Sequence, residues 1–396
     1  MATQQWRTTG FIVLFILAHF SHHVLTALVV PLLPFIRDSF SLNYAAAGMI
    51  PAAFTFFYGL GQLPAGWLAD KAGPRLMLSV GVAGVAFAGA LVGLSQGMIL
   101  LVAGLILMGL AGGGYHPAAP PAISGAVGPK RRGRALGFHV IGGSSSHFLA
   151  PLIGVGLASY IGWRGAFLVS SIPVLIYGVV FYLILGGIDR RRARAELSSV
   201  REEGAESPMA LSRLTAFLLL TSLTTAFVHG TITFVPLLLV DQFGAGEELA
   251  AAGLSFVYSV GFWSAPLGGY LSDRWGRIPV LAVVSLLLIP VLMLLPILPL
   301  GAVSLVLMLF LGMVLFVRMP VSEAFILESV SAARRSTVLG IYYAAGMIGG
   351  GLITPVLGFG IDRLGFSGAF LATGGIYTLI LIPLLLPLLR PEKKAA

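Results

Sequence analysis

Seven histidines and two charged residues carry most of the chemistry that this sequence offers. His19, His22 and His23 stand at i, i+3 and i+4, a spacing that places them within about 100° of one helix face, and Thr26 continues that face. Imidazole titrates at roughly pH 6.5, and three neighbours that cannot all be charged cheaply titrate as a coupled set. The pattern fits a proton-coupling site, with Glu323 as its carboxylate member. Hydrogen bonding between helices and a transition-metal site stay open for the same three residues. Arg318 lies in the apolar run FLGMVLFVRMPVSEAF. Its fixed charge and planar fork suit a carboxylate, phosphonate or sulfonate. Glu323 follows five residues later, about 140° round a helix, so the two do not share a face. An ion pair across helices and a gating role remain open for Arg318. Pro320 loosens the helix beside it. His116 and His229 join Arg318 as solute-binding candidates, although for either alone a satisfied buried histidine is the simpler account. His139 and His147 stand eight residues apart on nearly one face.

The elements that position these groups follow from composition. The chain is 57% hydrophobic and 10% charged, with a mean hydropathy of +0.97. Soluble domains carry about 25% charged residues, so an ordinary cytosolic enzyme is excluded. A nucleic-acid binder is excluded too, because the net charge of +9 resides in short loops. There is no cysteine, hence no disulfide framework or thiolate chemistry. A bilayer core needs about 20 mostly apolar residues per helix. Twelve such stretches are predicted, near 10–35, 44–69, 76–95, 98–124, 135–160, 164–187, 212–240, 249–271, 279–298, 300–327, 337–361 and 366–389. Runs this long must be helical, because lipid offers the backbone no partners. The first is too long, and too closely followed by others, for a cleaved signal peptide. Gly112-Gly113-Gly114 has no phosphate-loop lysine and is expected to serve close helix packing. No Walker motif or Ser-His-Asp spacing stands out, so neither ATP-driven pumping nor catalysis is expected, and no cofactor.

Lysine and arginine set the orientation. With the N-terminus in the cytoplasm, twenty fall on the inside, only Arg37, Arg164 and Arg363 outside, and Arg318 within a span. Both termini are therefore expected in the cytoplasm. The polar stretch GIDRRRARAELSSVREEGAESPMALS reads as a linker. It divides the chain into 1–188, a linker at 189–211, and 212–396, with six spans in each half. The halves repeat. Gly66-Trp67-Leu68-Ala69-Asp70-Lys71-Ala72-Gly73-Pro74-Arg75 aligns with Gly269-Tyr270-Leu271-Ser272-Asp273-Arg274-Trp275-Gly276-Arg277, and Asp70 to Asp273 is 203 residues. The same shift takes Pro117 to Pro320, Gly137 to Gly340 and Phe167 to Phe370, and it makes Tyr115 the mate of Arg318. Two related bundles that rock about a central site are the architecture of a transporter. Arginine on one half facing tyrosine on the other would clamp an organic anion.

The loop after the second span, repeated after the eighth, resembles the cytoplasmic signature of the major facilitator superfamily, over essentially the whole chain. That resemblance implies an all-α membrane protein of twelve transmembrane helices in two pseudo-symmetric six-helix bundles, with spans 1, 4, 7 and 10 lining the cavity. Asp70, Arg75, Asp273 and Arg277 are then expected to gate the inner side, the aspartates latching the halves; a turn-and-cap role alone is the alternative. More narrowly, His19-Phe20, the run 27–35, Tyr115-His116-Pro117, Gly142-Gly143 and Ala150-Pro151 resemble the fosmidomycin-resistance branch of proton-driven efflux proteins. The chain departs from that branch where His22-His23 replace an Asn-Asp pair, which moves a proton site from carboxylate to imidazole. It departs again where Ser146 and Ala150 replace glycines. The expectation is a monomeric secondary active transporter of the inner (cytoplasmic) membrane that binds a small organic anion and protons, by alternating access, with export as its direction. The alternatives are an uptake symporter for a monocarboxylate-like acid, a metal exporter using the histidine cluster, a lipid flippase and a non-transporting receptor.

Overall fold

The computed structural model describes residues 2–72, 74–127, 132–192, 211–330 and 335–389. Most of the expected linker, 193–210, lies outside the described residues. Among the described residues, eight helices are long and apolar enough to cross a membrane, two of them 52 and 53 residues long. A straight helix of that length would measure about 78 Å against a hydrocarbon core of about 30 Å, so each must hold two spans. The break falls at Gly162 (φ 71°) in one and Gly365 (φ 68°) in the other. Positive φ is open to glycine because it has no Cβ. The two glycines are 203 residues apart, the offset of the sequence repeat.

With Ala2–Thr26 and Tyr44–Ala72 there are twelve long helices among the described residues. They are α1 (Ala2–Thr26), α2 (Tyr44–Ala72), α3 (Pro74–Gly93), α4 (Met98–Gly113 continuing as Tyr115–Ala126), α5 (132–161), α6 (163–192), α7 (Leu211–Leu237), α8 (Glu247–Trp275), α9 (Arg277–Leu294), α10 (Ala302–Ser329), α11 (335–364) and α12 (366–389). The first span ends earlier than expected. α1 stops at Thr26, and the chain passes through turns before a short helix, Leu33–Phe40. Pro31 lacks the N–H that would continue the ladder, and Pro34 sits in the first turn of the short helix.

The helices fall into two compact units. Unit 1 holds α1, α2 from Ala53, α3 to α6, and Glu247–Ser255; unit 2 holds Leu42–Ala52, α7, α8 from Phe256, and α9 to α12. The sequence-based division at 188 and 212 thus differs at the first turns of α2 and α8. Within unit 2 the cause is visible. The Asp362 carboxylate accepts the backbone N–H groups of Tyr44 and Ala45, each at 2.8 Å, capping a helix start whose first donors have no partner in the helix itself.

The units repeat their internal packing. A Cβ on Gly109 would come within 3 Å of the α2 backbone at Phe54 and Tyr58, and one on Gly312 would do so at Val257 of α8. Gly109 to Gly312 and Phe54 to Val257 are both shifts of 203. Small residues let membrane helices approach this closely.

Candidate functional site

Unit 1 brings together six of the seven histidines: His19, His22 and His23 from α1, His116 from α4, and His139 and His147 from α5. Close helix contact makes this possible. A Cβ on Gly143 would lie 2.5 Å from the His19 ring, so the glycine pair 142–143 seats α5 against α1. The three α1 histidines turn to different neighbours. His19 donates from Nδ1 to the carbonyl of His139 (2.8 Å), and the two rings stack with centroids 4.1 Å apart. His22 donates from Nδ1 to the Gly81 carbonyl (2.7 Å), while its Nε2 accepts from the Tyr58 hydroxyl (3.2 Å). Gly81 lies in a π-helical turn, Val80–Gly84, where the ordinary ladder is interrupted. His23 Nδ1 lies 3.3 Å from Thr26 Oγ1, and its Nε2 lies 3.0 Å from Nε2 of His116. His147 donates from Nδ1 to the Gly143 carbonyl (2.9 Å). A carbonyl only accepts, so these partners assign a hydrogen to Nδ1 of His19, His22 and His147. His19 is buried, and its Nε2 has no hydrogen-bond partner.

Unit 2 holds the charged pair. Arg318 is 5% exposed on α10; its Nη1 donates to the Tyr342 hydroxyl at 2.8 Å, and its Nε has no partner. Glu323 accepts from the hydroxyl of Tyr343 at 2.6 Å. Among the described residues the direct Arg318–Glu323 ion pair is not formed, as their angular separation on α10 predicts. Adjacent tyrosines of α11 take one partner each instead.

The sequence repeat reappears in these contacts. Tyr115 and Arg318 each reach a residue 24 positions on: the Tyr115 hydroxyl lies 3.1 Å from Nε2 of His139, as Arg318 meets Tyr342. Tyr115 is the expected partner of Arg318 in solute binding. The side chain is fully buried and stacks on His22 with centroids 4.8 Å apart, so it packs the histidine cluster. His116 is half-buried within that cluster, its ring centroid 5.2–5.8 Å from those of His19, His22 and His23. His229, also half-buried, is on α7 of unit 2, so the two histidines expected to bind solute belong to different units. Sequence reasoning missed Tyr342 and Tyr343. The signal was available, since the 203 shift carries His139 to Tyr342.

Where α8 ends and α9 begins, Asp273 pairs with Arg277, which also meets Glu328 at 2.7 Å and Ser272 Oγ at 2.5 Å. Arg75 donates from Nε to the Tyr182 carbonyl (2.9 Å) and lies over the Tyr182 ring at 3.7 Å. The side chain of Asp70 lies outside the described residues. Asp273 and Arg277 engage each other within unit 2, and Arg75 engages α6 of unit 1.

The comparisons agree with this architecture. The family model described as Major Facilitator Superfamily matches residues 15–319. A probable sulfoacetate transporter, SauU of Cupriavidus necator, is 25% identical over 91% of this chain and 90% of its own length. The multidrug resistance protein MdtG of Proteus mirabilis is 27% identical over 93% of each. A probable L-galactonate transporter of Escherichia coli is 28% identical over 50% of this chain, and the chain spans only 42% of that relative. Among solved structures, a bacterial homologue of the human lysosomal transporter Spinster, inward-facing, superposes with a TM-score of 0.73 at 16% identity, covering 96% of this chain and 95% of that one. The inward-open xylose transporter XylE of Escherichia coli gives 0.72 at 15% identity over 98% of each chain. Identities this low establish the fold and nothing finer.

Proposed function

Because the chain belongs to the Major Facilitator Superfamily, a family of transporters and not an enzyme class, we propose that it is a secondary active transporter that carries a small organic anion together with a proton by alternating access. The observation that carries this reading is Arg318. A permanent cation within an apolar span costs about 2.5–3.5 kcal/mol on insertion scales. Among the described residues its hydrogen-bonded partner is a neutral hydroxyl, and its Nε stays unsatisfied. A carboxylate or sulfonate oxygen supplies both the missing acceptor and the missing charge. Relatives named for sulfoacetate and L-galactonate transport support an acid as the solute.

Glu323 is the proposed proton site. Ionised, it offsets the charge of Arg318 and competes with an incoming anion; protonated, it leaves that charge to the anion. Proton and anion therefore bind together, which couples them in one direction and makes uptake the movement this site supports best. Export, implied by the resemblance to the fosmidomycin-resistance branch, is the second reading, favoured by the multidrug resistance relative. The excess of basic residues on one side supports the cytoplasmic membrane with both termini inside. The loops bearing Asp70, Arg75, Asp273 and Arg277 are the proposed inner gate, and the working unit is a monomer.

The test is thermal stabilisation of the purified protein by sulfoacetate and L-galactonate against their amides, between about pH 5 and pH 8. Stabilisation by the acids alone, stronger at low pH, is the expected result. Equal stabilisation by amides, or none that depends on Arg318, overturns the anion reading. In vesicles, accumulation of the acid on the side toward which protons flow supports symport; depletion from that side supports the export reading.

A further inference from the structure

We propose that unit 1 contains a transition-metal site formed by His19, His23 and His116, which takes one divalent ion of the zinc class and is independent of the anion reading. One ring nitrogen from each of these three residues lies within 4.8 Å of the other two. Ligand nitrogens on a tetrahedral zinc, bound at about 2.0–2.1 Å, stand about 3.3–3.4 Å apart, so closure needs side-chain shifts of about 1 Å. The His23–His116 pair, at 3.0 Å between Nε2 atoms, already stands near that spacing.

The second observation is the orphaned nitrogen of His19. Its Nδ1 is committed to the His139 carbonyl, so Nε2 presents a lone pair, and it does so in a buried position without a partner. His23 presents Nε2 to the same site, 3.0 Å from Nε2 of His116, with Thr26 Oγ1 3.3 Å from its Nδ1. A ligating histidine almost always donates its other ring N–H to such an oxygen. His116 must hold its hydrogen on Nδ1 to ligate, so metal binding replaces the His23–His116 hydrogen bond. His19 is buried and the other two are half-buried, which leaves the site reachable. Three imidazoles without thiolate or carboxylate select zinc, copper or nickel over magnesium or calcium. Three protein ligands also leave a fourth position for water or an exchangeable ligand.

The experiment uses the full chain, purified without a polyhistidine tag, and measures Zn²⁺ and Mg²⁺ binding by titration calorimetry and the absorption spectrum with Co²⁺. The expected result is one Zn²⁺ per chain, no Mg²⁺, and the intense visible bands of tetrahedral Co²⁺. Outer partners of a ligand are worth about 10–100-fold in affinity. Thr26→Val should therefore weaken binding about ten-fold, and His116→Asn or His19→Asn by about a hundred-fold or more. Arg318→Ala should leave zinc binding unchanged while removing the anion response, so the two readings fail separately. Absent Zn²⁺ binding, an octahedral Co²⁺ spectrum, or wild-type affinity in the histidine variants overturns the site. The spectrum of the unmodified protein decides the matter even if a variant fails to fold.

Discussion

Tyr115 in one half and Arg318 in the other occupy matching places, each reaching a residue 24 positions further on, yet they do opposite chemistry. In unit 1 the contact joins a phenol to an imidazole, inside a network of groups that are neutral or can become so. In unit 2 it joins a permanent cation to a phenol, beside a carboxylate held by the next tyrosine. The helix crossings match as closely, with Gly109 against Phe54 and Gly312 against Val257. Duplication has preserved the geometry and not the chemistry. The backbone of such a bundle is held by small residues and internally satisfied helices, so side chains at matching positions are free to diverge.

Arg318→Ala removes what distinguishes unit 2, and it should have the largest effect. Acid-dependent stabilisation and transport should fall by about a hundred-fold or more, since hydrogen bonds to charged groups contribute about 1.5–3 kcal/mol each and an anion engages more than one. Equilibrium dialysis with a radiolabelled acid checks this; binding within a factor of two of wild type would break the comparison. Glu323→Gln comes next. A proton carried with a singly charged anion moves no net charge, so the pH difference drives accumulation, about 1.4 kcal/mol or ten-fold per pH unit, and the variant should lose that gain while still binding the acid. Flux assays in vesicles with an imposed pH gradient read the difference, and unchanged accumulation removes the proton from this site.

The sharper test compares matched variants. Tyr342→Phe withdraws the neutral partner of Arg318 and should lower acid affinity about ten-fold, the scale of one charged hydrogen bond. Tyr115→Phe withdraws the equivalent contact in unit 1. It should cost about 1 kcal/mol of stability, visible in a melting curve, and leave acid affinity near wild type. If the two variants behave alike, the halves share a function that their chemistry does not suggest. The smallest effect belongs to Glu328→Gln beside Arg277. Asp273 and Glu328 are more than half exposed where they meet Arg277, and such pairs contribute less than about 1 kcal/mol. Transport rate is the better readout there, because a partner of Arg277 in the proposed gate should change rate with little change in melting temperature.

Much of the fold was legible before any coordinates, because lipid imposes strict rules. Apolar run length and the 203 offset of the glycine-aspartate loops announce the spans and their duplication. The offset even marks where paired spans break, at Gly162 and Gly365. Two things were not legible. The end of α1 at Thr26 depends on prolines whose effect hydropathy does not register. The first turns of α2 and α8 joined units that a cut at the linker assigns elsewhere, because a cap such as Asp362 on Tyr44 and Ala45 is a contact over more than three hundred residues.

The candidate sites divide along the same line. Residue types and helical spacing sufficed to single out Arg318, Glu323 and the α1 histidines, since charge and imidazole inside an apolar span stand out by composition alone. Only the folded chain decided their partners. It sent three histidines of one face to three different helices, buried Tyr115 among them, and gave Arg318 and Glu323 adjacent tyrosines that no local pattern marks. Hydrogen bonds depend on ångström distances between helices far apart in sequence, and these are fixed by packing, which periodicity cannot express.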